Sequence, residues 1–172
     1  MFPFPYEPHE RSTRYCPGTE ITLYCGLAHQ YVTCTIKKVL GSGYFKTAYL
    51  ADLDGETVVF KDPHQASDAW SFAECYAEYA QKGLPCPELL AADFSTGQVL
   101  CEKAYAVGQQ QFDDLFAEVC VITEMAKAIY KESQTKFDET SHTLRLMAQT
   151  TWDTKAENYG LTQNGRLVVI DL

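Results

Sequence analysis

The sequence predicts an α+β domain: a five-stranded antiparallel sheet with one inserted helix, followed by a reduced helical part. Three observations carry this. From Tyr31 to Lys61 the chain alternates in the period of a half-buried strand and is interrupted at Gly41-Ser42-Gly43 and Asp54-Gly55. A helical stretch, SDAWSFAECYAEYAQKG, then intervenes before two further strands. Beyond these, apolar residues recur at three and four over Gln111 to Ser133.

The first thirty or so residues carry Pro3, Pro5, Pro8 and Pro17 and read as an extended arm. Phe2, Phe4 and Tyr6 give that arm apolar side chains with which to pack on the domain. The first strand follows in YVTCTIKKVL. Asp54-Gly55, between TAYLADL and TVVFK, is a hairpin signal joining the second and third strands. In the inserted helix Ser67 or Asp68 can cap the start, and Gly83 ends it. Its buried stripe is Ala69, Ala73, Tyr76, Ala77 and Ala80. LPCPELLAADF and GQVLCEKAYA give two more strands around Ser95-Thr96-Gly97. The long helix presents Phe112, Leu115, Phe116, Val119, Ile122, Met125, Ala126 and Ile129. Near the end a loop leads into a hairpin turned at Asn164-Gly165 and a last apolar strand.

With 172 residues, 46% hydrophobic and 22% charged, the composition is that of an ordinary globular domain. The net charge of −9 argues against nucleic acid as a partner, because no basic stripe is available to neutralise phosphates. No apolar run reaches membrane-spanning length, and no secretory leader is visible at MFPFPYEPHE. Seven cysteines without a C-x-x-C pair read as free thiols in a reducing cytoplasm. Cys16, Cys25 and Cys34, nine residues apart, also admit a metal or disulfide cluster. Trp70 and Trp152 read as packing residues, and His142 as a surface or capping residue.

Four elements share one chemistry, the handling of a nucleotide. Gly41-Ser42-Gly43-Tyr44-Phe45 is a glycine-rich turn whose backbone can approach phosphates and aim N–H groups at them. Taken alone, such a turn is also a plain hairpin. Lys61 ends the apolar run Val58-Val59-Phe60, so its stem lies in the core and its ammonium at the edge, suited to α and β phosphates. By itself it is equally a solvent-facing strand lysine. Asp153-Thr154-Lys155-Ala156-Glu157-Asn158 sets an acid five residues before an amide. There Asp153 can take a hydroxyl proton, Asn158 can bind Mg²⁺, and Lys155 can offset charge on the transferred phosphate. The same string also suits a helix cap. Asp171 follows Leu167-Val168-Val169-Ile170, where a carboxylate is costly unless paired or metal-bound, or else exposed at a frayed end.

In order and spacing these residues resemble the protein kinase superfamily, which carries G-x-G-x-[FY]-G-x-V, V-A-x-K, a helix glutamate, H-R-D-L-K-x-x-N and D-F-G. The matching positions are Gly41 to Ala48, Val59-Phe60-Lys61, the helix around Glu74, Asp153 to Asn158, and Asp171-Leu172. Asn158 and Asp171 are thirteen residues apart with a hairpin between them, as in the family. The resemblance runs from about residue 37 to the end. It implies a minimal kinase-like domain over 31–172, with an N-lobe to about 108 and a reduced C-lobe over 109–172, after a Pro-rich arm at 1–30. It implies ATP and Mg²⁺ as cofactors, with Gly41, Ser42, Gly43, Tyr44, Phe45, Ala48 and Lys61 around the nucleotide. Asp153, Lys155, Lys61 and Glu74 would be catalytic, Glu74 (in preference to Glu78) pairing with Lys61, and Asn158 and Asp171 would hold the metal. Lys155 is the residue found in serine/threonine kinases, which implies a protein hydroxyl as acceptor.

Departures from the family pattern are specific. Lys46 stands for the third loop glycine, Thr151 and Trp152 for the His and Arg of H-R-D, and Leu172 for the Phe of D-F-G. Neither an activation segment nor an A-P-E element follows, which leaves the mode of peptide docking open. The brevity resembles minimal effector kinases that bacterial pathogens deliver into host cytoplasm, one branch of which phosphorylates a host heat-shock protein 90 chaperone. Two other readings stay open: a pseudokinase or nucleotide-binding scaffold, and a small-molecule kinase.

Overall fold

The computed structural model describes residues 14–42, 46–64, 66–133 and 154–170. Nine strands and three helices are seen among them. The larger sheet contains six antiparallel strands: β1 (Glu20–Cys25), β2 (Gln30–Ser42), β3 (Lys46–Leu53), β4 (Glu56–Pro63), β5 (Leu89–Ala92) and β6 (Val99–Glu102), in the order β1-β2-β3-β4-β6-β5. Helix α1 (Ala66–Gln81) is inserted between β4 and β5. A second sheet, β7-β8-β9, joins β7 (Tyr105–Ala106) to the hairpin of β8 (Tyr159–Leu161) and β9 (Leu167–Val169). Helices α2 (Gln109–Asp114) and α3 (Phe116–Ser133) lie between β7 and β8 in sequence.

The sheet therefore has one strand more than expected, and the extra one, β1, lies within the segment read as an arm. Its sequence EITLYC alternates strictly, with Ile21, Leu23 and Cys25 buried. Those three side chains supply the free energy that the nearby prolines do not oppose, because Pro17 lies outside the strand. The helix expected over Gln111 to Ser133 is interrupted at Leu115, whose ψ of 7° departs from helical geometry. Phe116, expected in the core, is 46% exposed beyond that break.

The turns are formed by the residues that chemistry demands. Asp54 and Gly55 have φ of 52° and 88°, the left-handed pair that a two-residue hairpin loop requires. Helix α1 ends in a Schellman motif: Gly83 N–H donates to Ala80 O and Leu84 N–H to Tyr79 O. Only Gly83, at φ 81°, adopts that left-handed cap without strain. Cys16, Cys25, Cys34, Cys86, Cys101 and Cys120 are free, and no cluster of metal-ligating side chains occurs among the described residues. Nor is any described helix long and apolar enough to cross a membrane.

Each face of the sheet has its own core. Alternation along β4 sends Val58 and Phe60 to one side and Val59 and Lys61 to the other. The first side is enclosed because the sheet curls until its edges touch: Gly26 N–H donates to Ala92 O at 2.9 Å, and Tyr24 N–H to Asp93 Oδ2 at 3.2 Å. A Cβ on Gly26 would lie 2.4 Å from the Phe94 ring, so the closure needs glycine. Tyr15 covers this core, edge-on to Tyr49 and Phe60 at 5.7 and 5.9 Å. The other side packs Val59, Val99 and Cys101 under α1, α3 and the second sheet.

Asp93 ties the curled edge together, and its chemistry is testable. Oδ1 accepts from Ser95 N–H, Ser95 Oγ and Thr96 N–H, while Oδ2 accepts from Tyr24 N–H. Burial pushes the carboxyl up, but the bonds from Ser95, Tyr24 and Thr96 outweigh it and hold Asp93 below the usual carboxylate range. A depressed folded value stabilises the fold above the unfolded pKa of about 4, and that contribution is lost as pH falls through the folded value. Asp93→Ala is expected to cost about 2–3 kcal/mol at pH 7. The gap to the unsubstituted protein in thermal melts should narrow as pH drops from about 4.5 to about 2.5.

Candidate nucleotide and metal site

Strand register assembles the first part of the site. Gly41 pairs with Ala48, Ala48 with Lys61, and Lys61 with Val99, so three of the residues expected around a nucleotide lie in one row across four strands. Gly41 has no positive φ, and a Cβ there would meet no atom within 4 Å. Neither backbone conformation nor packing inside the described protein accounts for glycine at that position. Ser42 ends β2, whereas Gly43, Tyr44 and Phe45 lie outside the described residues.

Lys61 is 5% exposed, with its stem in the core that faces α1. Its ammonium donates to Ile170 O at 2.8 Å and lies 5.2 Å from the centre of the Tyr76 ring. Tyr76 is held in place by its own hydroxyl, which donates to Pro87 O at 3.2 Å. The expected partner of Lys61 is not engaged: among the described residues no ion pair joins Lys61 to Glu74. Helix geometry explains this. Tyr76 faces Lys61, and Glu74 and Glu78, each two residues away, are turned from it by about 200°. Glu78 pairs with Lys82 at 3.1 Å, and Lys82 reaches Glu132 of α3 at 3.2 Å. Glu74 keeps a buried Oε2 without a hydrogen-bond partner, and burial, then the neighbouring Glu78 charge, pushes its carboxyl up.

The second part is built on one 3₁₀ turn, Ala156–Asn158, that leads into β8. Lys155 caps the turn in extended geometry and is exposed. Asn158 is 5% exposed; its N–H donates to Lys155 O, and its carbonyl accepts from Ile170 N–H at 2.9 Å. The β8–β9 pairing, turned at Asn164-Gly165 with Gly165 at φ 77°, sets this meeting. β9 is itself fastened to the α1–β5 connection, because Val169 N–H donates to Pro85 O. Ile170 thus bonds Lys61 through its carbonyl and Asn158 through its N–H, and Asp171 is the next residue in the chain.

Asp153 and Asp171 lie outside the described residues, as do Trp152, His142 and the side chain of Trp70. An amide oxygen and a carboxylate form a hard donor set that suits Mg²⁺. Sequence reading missed Ile170 and Tyr76 as the groups on Lys61. A backbone carbonyl leaves no mark in a sequence, and Tyr76 had been assigned to the core stripe, where it also belongs. A cavity of about 870 Å³ opens elsewhere, between α1, α3 and the β8–β9 turn, and touches neither Lys61 nor Asn158.

No protein-family model and no curated protein matches the chain. Solved structures similar to it include the PknI kinase domain of Mycobacterium tuberculosis, at 14% identity and TM-score 0.47, covering 91% of this chain and 62% of that one. The ROP18 kinase domain in complex with AMP-PNP and sucrose is 18% identical at TM-score 0.47, covering 90% and 55%. A thermostable mutant of the aminoglycoside phosphotransferase APH(4)-Ia is 18% identical at TM-score 0.44, covering 80% and 67%. The chain spans about three fifths of the length of the PknI kinase domain it matches. None of these TM-scores reaches one half, and they assign the chain neither a family nor an activity.

Proposed function

We propose that the protein is an ATP-dependent kinase that transfers the γ-phosphate to a serine or threonine hydroxyl of a protein. The observation that carries this reading is the double bonding of Ile170, which fastens the buried ammonium of Lys61 and the buried Asn158 to the residue before Asp171. A cation and two oxygen ligands are thereby gathered from β4, the 3₁₀ turn and the end of β9, far apart in sequence. Gly41, in the same strand row as Lys61, has a hydrogen where the protein has no need of one, as close approach of a phosphate requires.

In this reading Lys61 holds the α and β phosphates, and Asn158 with Asp171 would hold Mg²⁺. Bound there, the ion would offset the charge of the phosphate chain. Asp153 accepts the proton of the attacking hydroxyl as the new oxygen–phosphorus bond forms and the bond to ADP breaks. Lys155, exposed beside this point, offsets charge on the transferred group and favours a protein acceptor over a small molecule. The preferred first substrate is a host heat-shock protein 90 chaperone, supported by the likeness in size to minimal effector kinases.

Transfer of labelled γ-phosphate from MgATP tests the reading, with the chaperone, host lysate and an aminoglycoside panel as acceptors. Label on protein serine or threonine is the expected result. Label on an aminoglycoside alone would replace the protein substrate with a small one. Nucleotide binding without transfer to any acceptor would instead support a scaffold, a reading favoured by the unpaired Glu74 Oε2.

A further inference from the structure

On the face of the sheet opposite Lys61, one row nearer the glycine-rich turn, lies a row of polar residues: Ser42, Thr47, Asp62 and Gln98. Thr47 is 2% exposed, on a strand whose other inward residues, Tyr49 and Ala51, are apolar. Its single hydroxyl makes two side-chain contacts: Ser42 Oγ at 2.9 Å and His64 Nε2 at 2.7 Å. Ser42 is the last residue of β2, Thr47 the second of β3, and His64 the residue just past β4. One oxygen therefore ties together the ends of three strands. Backbone pairing alone does not fix that end, since the β2–β3 register is already shifted between Val39 and Gly41.

We infer that Thr47 is a positioning residue for the nucleotide site, holding Gly41 and Ser42 of β2 at a fixed offset from Lys61. The inference rests on the function proposed above and deepens it. Thr47 cannot touch the nucleotide itself, because its side chain faces the enclosed core. It acts through the backbone: Gly41 pairs with Ala48 and Ala48 with Lys61, one row from the hydroxyl. A valine at 47 has nearly the same shape and suits a strand equally, but it releases both contacts. The loss should fall on ground-state phosphate binding and leave the reacting groups of the 153–158 segment in place.

The test is a comparison of steady-state phosphate transfer and direct ATP binding for Thr47→Val, Thr47→Ser and His64→Leu. Thr47→Val is expected to raise KM for MgATP, and the ATP dissociation constant, by about tenfold, with kcat within about twofold. Thr47→Ser keeps the hydroxyl and should restore binding to within about twofold. His64 is exposed, so His64→Leu tests half of the tie without disturbing the core, and should raise KM by about threefold. Equal KM in Thr47→Val, His64→Leu and the unsubstituted protein overturns the inference, as does a fall in kcat alone. If the unsubstituted protein binds no ATP, the kinase reading itself fails, and this inference falls with it.

Discussion

Lys61→Met is expected to lower phosphate transfer by about 10²–10³-fold, the usual loss when a charge donor at a reacting phosphate is removed. The fold should survive. Methionine reproduces the length of the stem that packs in the core with Val59 and Tyr76. Two effects on stability oppose each other. The Ile170 carbonyl loses its donor, at a cost of about 1–3 kcal/mol, while a 5% exposed ammonium no longer has to be desolvated. Thermal unfolding should therefore shift by only a few degrees, far too little to account for a hundredfold loss of rate. Rate and melting temperature measured on the same preparation separate the two. Unchanged transfer in a folded variant would reduce Lys61 to a buried cation that fastens β4 to the end of β9.

Local chemistry made much of this fold legible. Asp54-Gly55, Gly83 and Asn164-Gly165 each announce a backbone conformation that few residues tolerate, and each forms the turn expected of it. Strand β1 was concealed because four prolines in its neighbourhood outweighed six residues of clear alternation. The interruption at Leu115 left no trace, since the apolar period runs through it unbroken. In the site, Lys61 could be recognised from its own strand, but its surroundings could not. The facing of Glu74 depends on how α1 is rotated about its axis, and the small residues Ala73, Ala77 and Ala80 around Tyr76 allow more than one rotation. Thr47 escaped notice because threonine is the expected residue of a strand, and only the structure shows one hydroxyl serving both Ser42 and His64.

Asp153→Ala is expected to reduce transfer by about 10²–10⁴-fold, the range for a group that takes a proton in the transition state. ATP binding should stay within about twofold, because the phosphates are held from Lys61 and the metal from Asn158 and Asp171. The split distinguishes this variant from Lys61→Met, which should also weaken binding. Combined, the two substitutions bear on whether these residues act together. If Asp153 serves only a phosphate already placed by Lys61, the double variant should lose little more than the worse single one. Multiplied losses would mean that they act independently. The linkage of Lys61 and Asn158 through Ile170 favours the first outcome, because one residue fixes both the strand lysine and the end of the 153–158 segment. Equal, background-level transfer by the unsubstituted protein and Asp153→Ala, with ATP bound by both, would end the enzyme reading and leave a nucleotide-binding scaffold.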